Sequence, residues 1–111
     1  MQLAPVVRVV ACSIALCCLG ASSPAVAGER TIGQQHQKFS EEAVNLKSGD
    51  SIKFVNDDNV AHNVMSAGPG GSKNAGLQKA GDSTTIVFDK AGEYRIHCGI
   101  HPKMKMSVKV D

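Results

Sequence analysis

The sequence predicts an all-β chain folded as an antiparallel sandwich. Three observations lead there. Beyond residue 27 no segment has helical periodicity, short apolar–polar alternations recur, and Gly, Asp and Ser punctuate them at turn-like intervals. The run "AVNLKSGDSIKFVN" places Val44 and Leu46 before a Ser48-Gly49-Asp50 turn, then alternates Ile52 and Phe54 with Ser51 and Lys53. It reads as two strands with a tight link. "HNVMS", from His62, is a third strand, and "AGDSTTIVFD" supplies a β-branched run after a Gly81-Asp82 turn. "KAGEYRIHC" turns at Gly92 and sends Tyr94, Ile96 and Cys98 to one face, and "MSVKV" alternates Met106, Val108 and Val110. The stretch Ser66 to Gly76 has four Gly, one Pro and no large apolar residue, so it reads as a mobile surface loop.

Residues 1–27 are of a different kind. Arg8 is the only charge, an apolar run follows from Val9 to Leu19, and the segment closes with Ala25-Val26-Ala27. A basic start, an apolar middle and an Ala-x-Ala end are the order of a secretory signal peptide, and the apolar run is shorter than a spanning helix needs. The expected organisation is a leader over 1–27 and one domain over 28–111, exported to a bacterial periplasm with no membrane attachment. The chain carries a net charge of +2, which gives no basis for binding nucleic acid. Of its four Cys, Cys12, Cys17 and Cys18 belong to the leader, so the domain keeps Cys98 alone. A single thiol in an oxidising compartment needs burial or a metal.

The surroundings of Cys98 favour the metal. "CGIHPKM" spaces Cys98, His101 and Met104 by three and three, in a loop able to turn all three toward one point. A further ligand must come from His36, His62 or His97. His62 sits after a polar turn at the start of a strand, the place for a site at one pole of a sandwich. His97 adjoins Cys98 on a strand and points to the opposite face, and His36 lies among polar residues. The donor set is then His62, Cys98, His101 and a Met. Mg²⁺ and Ca²⁺ want oxygen, and structural zinc sites do not usually use Met. Two imidazoles and a thiolate with a weak thioether are the donors of blue-copper electron transfer, because thiolate and thioether suit Cu(I) and imidazole suits both oxidation states.

At this point the chain resembles the cupredoxins, near the plastocyanin, pseudoazurin and amicyanin group. The likeness is carried by "GDSIKFVN", by "HNV" from His62, by "AGEYRIHCGIHPKM" and by "SVKV", and it runs from about Phe39 to Val110. It implies a cupredoxin-like Greek-key β-sandwich holding one type 1 copper that shuttles single electrons. It also implies that Asn63 bridges the two ligand loops by hydrogen bonds and supports the Cys98 sulfur. The Cys-x-x-His-x-x-Met spacing is the short loop of amicyanin. Met106 stands at the longer spacing of plastocyanin-like loops and is a rival axial ligand. Met104 is preferred, because Met106 shares the inward parity of Val108 and Val110. The His-Cys-His of multicopper oxidases is missing, since Gly99 follows Cys98, and a binuclear copper site would need a second Cys.

The expected function follows. A monomer presents the His101 edge within a small apolar patch of Gly99, Ile100 and Pro102, bordered by Lys103 and Lys105. Its partners would be redox proteins such as a cytochrome c, a dehydrogenase or a reductase. No nucleophile–base pair or oxyanion hole is visible, so an enzyme is not expected. The competing reading of the same ligands is a copper carrier that delivers metal rather than electrons.

Overall fold

The computed structural model describes residues 27–111, which form nine strands and no helix. Apart from Ala27, the expected leader lies outside the described residues. The strands are β1 (Glu29–Gln35), β2 (Lys38–Phe39), β3 (Ala43–Leu46), β4 (Asp50–Asn56), β5 (His62–Gly68), β6 (Gly71–Gln78), β7 (Ser83–Phe88), β8 (Gly92–Cys98) and β9 (Lys105–Val110). They make two sheets, one ordered β2-β1-β4-β7 and the other β3-β9-β8-β5-β6. Alternation along each strand sends one row of side chains inward. Ile32, Ile52, Phe54, Ile86 and Phe88 come from the first sheet; Val44, Leu46, Val64, Ile96, Val108 and Val110 come from the second.

The all-β sandwich expected from the sequence is what forms, with two parallel pairings inside it. β1 runs parallel to β4, and β3 runs parallel to β9. The first follows from the chain leaving its sheet between β2 and β4 to place β3 in the other layer. The second joins two strands far apart in the chain at a sheet edge.

One expectation is overturned. Ser66 to Gly76 is not a loop: β5 continues to Gly68, turns through Pro69 and Gly70, and returns as β6, paired antiparallel from Gly68↔Gly71 to His62↔Gln78. β6 is an edge strand whose side chains from Gly71 to Asn74 are exposed, so nothing in its burial demands apolar residues. The small residues of this hairpin also answer a steric need. A Cβ on Gly68 would lie 2.4 Å from the Tyr94 ring, and Gly70 and Gly71 take φ of 87° and 102°. β1 escapes the alternation test for a similar reason, since Ile32 is its one large apolar side chain.

The strand ends sort the molecule into two poles. At one, Ser48 N–H donates to Asp111 O, Gly49 N–H to Phe88 O and Tyr94 Oη to Lys90 O. At the other lie the ends of β4 and β6, the starts of β5 and β9, and the end of β8, and every candidate metal donor is there.

Candidate metal centre

The β4–β5 loop sets the first donor. Asn56, fully buried at the end of β4, donates from Nδ2 to Val60 O (2.9 Å) and Gln78 O (3.1 Å), and its Oδ1 accepts the Asp58 N–H (2.9 Å). This Asx turn folds the segment Asp57–Ala61 tightly enough to start β5 at His62, which is wholly buried. A bulge between β5 and β6 follows at once, where Asn63 pairs with Leu77 but Met65 pairs with Asn74.

The second loop closes on itself. Cys98 N–H donates to Met104 O (3.2 Å) and Met104 N–H donates to His101 O (2.9 Å). These bonds return the chain to Cys98 within six residues and bury Met104 at 1% exposure. The two loops are then stitched together: Gly99 N–H donates to Asn63 O (3.0 Å) and Asn63 N–H donates to Cys98 Sγ (3.3 Å). The bridging role expected of Asn63 is thus carried by its backbone, while its side-chain Oδ1 is buried without a hydrogen-bond partner. Gly99 fits this seam because a Cβ there would meet Met65 Sδ at 3.0 Å.

His62, Cys98 and His101 converge. The two Nδ1 atoms are 3.1 Å apart, and Cys98 Sγ lies 3.8 Å from His62 Nδ1 and 3.6 Å from His101 Nδ1. A triangle with those sides has a circumscribed radius of about 2.0 Å, the length of a metal–imidazole bond. The three donor atoms are thus close enough together that one ion could be shared among them. Two nitrogens and a sulfur facing one another are also the soft-to-borderline set that copper accepts. Cys98 is unpaired and buried, and His101 is half-buried.

His62 presents Nδ1 to the centre because its other nitrogen is engaged. Nε2 lies 3.0 Å from Asp58 Oδ2. A carboxylate only accepts, so Nε2 carries the proton and Nδ1 is left as the lone-pair donor. The Gln37 N–H, most of all, holds the Asp58 carboxyl below the ordinary carboxylate value, with further help from His62 and the Asn59 N–H.

The other candidates separate as their strand parity dictates. His97 is outside the cluster and faces an open hollow of about 780 Å³ shared with Met65, Arg95, Pro102 and Lys105. His36 lies in the exposed β1–β2 turn. Met106 pairs with Ile96 within β9 and is buried in the core row with Val108 and Val110. Asn56, Asp58 and Gln37 were not singled out in the sequence. The available signal was an Asx-turn residue and a carboxylate four positions before a histidine, in "NDDNVAH".

A β-sandwich with a cysteine sulfur and two imidazoles gathered between loops at one pole defines a cupredoxin, the class of small copper-binding β proteins. Residues 26–111 match the family described as copper binding proteins, plastocyanin/azurin family, and the chain belongs to that family. Among curated relatives it is 27% identical to methylamine utilization protein MauL of Methylorubrum extorquens, over 99% of this chain and 97% of that one. It is 29% identical to amicyanin-alpha of the same organism, over 84% of this chain and 81% of that one. Among solved structures, a proline variant of amicyanin in the reduced Cu(I) form superposes with a TM-score of 0.69 at 23% identity. That match covers 82% of this chain and 90% of the other, and it supports the fold.

Proposed function

We propose that the chain is an exported, monomeric electron carrier in which His62, Cys98 and His101 would hold a copper ion, with Met104 as a weaker fourth donor. The observation that carries this reading is the convergence of three donor atoms on one centre from two loops cross-linked by backbone hydrogen bonds. Copper supplies a one-electron couple when bound. The chain supplies rigidity: the donors sit on strand ends braced by Asn56 and by the Asn63–Cys98–Gly99 stitching, so little has to move between oxidation states. The Asn63 N–H supports negative charge on the sulfur, in the manner by which groups around a site tune the ligands. Met104 is favoured over Met106 because its carbonyl accepts the Cys98 N–H within the closed loop, whereas Met106 belongs to the core row.

Electrons would pass at the partly exposed His101. Exposed apolar side chains border that pole: Ile100 is in the ligand loop, Val60 lies two residues before His62, and Leu77 is paired with Asn63. An apolar rim lets a redox partner approach and expels water, and a small contact suits fast release. A redox protein, such as a dehydrogenase or a cytochrome c, is the partner class this reading takes, and export to a bacterial periplasm fits the leader-like first segment.

The competing reading, a carrier that delivers copper, uses the same ligands. Full burial of His62, Cys98 and Met104 favours retention, since a delivery site has to open to its acceptor. Exchange separates the two. The copper-loaded chain is expected to survive repeated oxidation and reduction in the presence of a competing chelator. Loss of the metal within a few cycles would favour delivery.

A further inference from the structure

Beyond the donors themselves, one carboxylate reaches a donor residue from outside. Asp58 stands four residues before His62, and its Oδ2 lies 3.0 Å from His62 Nε2. The same oxygen accepts the Gln37 N–H at 2.9 Å, and Oδ1 accepts the Asn59 N–H at 3.0 Å. The Asp58 side chain is nearly buried at 9% exposure, and His62 is at 0%. Asp58 Oδ2 is the hydrogen-bond partner that His62 Nε2 has among the described residues.

What holds the carboxylate comes from a distant part of the chain. Gln37 is the second residue of the β1–β2 turn, and it and His36 take φ of 57° and 54°. Two successive left-handed residues give a tight hairpin turn that favours Asn and Gly and is uncommon for other side chains. Here that turn directs the Gln37 N–H at the β4–β5 loop, in addition to linking β1 to β2. The turn also borders the mouth of the site, where Gln37 lines a cleft with Ile100, His101, Pro102 and Lys103. His101 has no carboxylate partner among the described residues, so the two imidazoles are unlike: one backed by a buried anion, the other open at its edge.

We propose that Asp58, held by the Gln37 N–H of the left-handed turn, is a positioning residue that fixes His62 as an Nδ1 donor and lowers the reduction potential of the bound copper. A carboxylate hydrogen-bonded to a ligating imidazole makes that imidazole a stronger donor and favours the more highly charged metal state. The inference rests on reading His62 as a ligand.

Asp57 provides the control. It has the same charge one position away and makes no hydrogen bond to either histidine. Asp58→Asn and Asp57→Asn in the copper-loaded chain are to be compared by redox titration, and by NMR of the histidine ring N–H groups in the diamagnetic Cu(I) state. Asp58→Asn is expected to keep the visible charge-transfer band. Its potential should rise by more than that of Asp57→Asn. The His62 Nε2–H should be protected from exchange in the parent and exchange at least tenfold faster in Asp58→Asn alone. Equal potential shifts in the two variants overturn the proposal, because a plain charge effect would explain both. If Asp58→Asn fails to fold, the parent decides: a His62 ring proton exchanging as fast as that of His101 overturns the proposal, and a protected one supports it. Absence of the charge-transfer band in the parent would overturn the ligand reading and this inference with it, whereas equal shifts overturn this inference alone.

Discussion

Met104 and Met106 are two residues apart and both buried, yet their backbones place them in different surroundings. Met104 closes the ligand loop through the Cys98 N–H, and Met106 faces the core from β9 opposite Ile96. Met104→Leu is therefore expected to retain copper and shift the potential. Met106→Leu is expected to leave the potential alone and cost less than about 1.5 kcal/mol of stability, as a volume-conserving core exchange. Redox titration and urea unfolding of the two variants check this, and the reverse pattern would make Met106 the axial donor. At this scale the sequence offered candidate donors and hid their supports. Cys98, His101 and Met104 share one short loop and His62 starts a strand, so spacing and parity were enough to propose them, and folding brings His62, Cys98 and His101 together. Asn56 and Asp58 act through side chains that only the Asx pattern and the four-residue spacing to His62 could have marked, and Gln37 acts through a backbone N–H brought to Asp58 by folding, which no local pattern records.

The β5–β6 hairpin shows the same divide among elements. Strands with one buried face, such as β4, β8 and β9, were legible because burial imposes alternation. β6 is at an edge and β1 carries a single large apolar residue, so neither had a pattern to read. Of the glycines that suggested a loop, Gly68 serves close packing, while Gly70, Gly71 and Gly76 take positive φ. Gly68→Ala would press a methyl group against the Tyr94 ring, whose hydroxyl is tied to Lys90 O. It is expected to destabilise the metal-free protein by about 1–3 kcal/mol in urea unfolding, as overpacking does. A neutral result would mean that the ring moves freely and that the glycine has another reason. The bulge that carries β6 past Asn63 also sets the stitching between the ligand loops, so the hairpin positions the site as well as the edge.

For the molecule as a whole, two closed poles hold the sandwich rigid without a disulfide among the described residues. At the pole away from the metal, Asp50 accepts the N–H groups of Lys47 and Gly28, both at 2.8 Å, and so ties the start of the domain to the β3–β4 turn. Those bonds, Lys47 first, lower its carboxyl below 3.8. A lowered value in the folded state means that the stabilisation is present above the ordinary carboxylate value and disappears as pH falls through the folded one. Asp50→Asn should therefore melt below the parent at neutral pH, and the two melting temperatures should converge in acid well below 3.8. A constant difference across that range would assign the effect to something other than ionisation.

The account turns on the Cys98 thiolate binding copper together with His62 and His101. Its most direct test is visible absorption during stoichiometric Cu(II) addition to the purified protein. An intense thiolate-to-copper band is expected, saturating at one ion per chain and absent from Cys98→Ala. A protein that stays colourless with copper bound, or a band that survives the loss of Cys98, would contradict it.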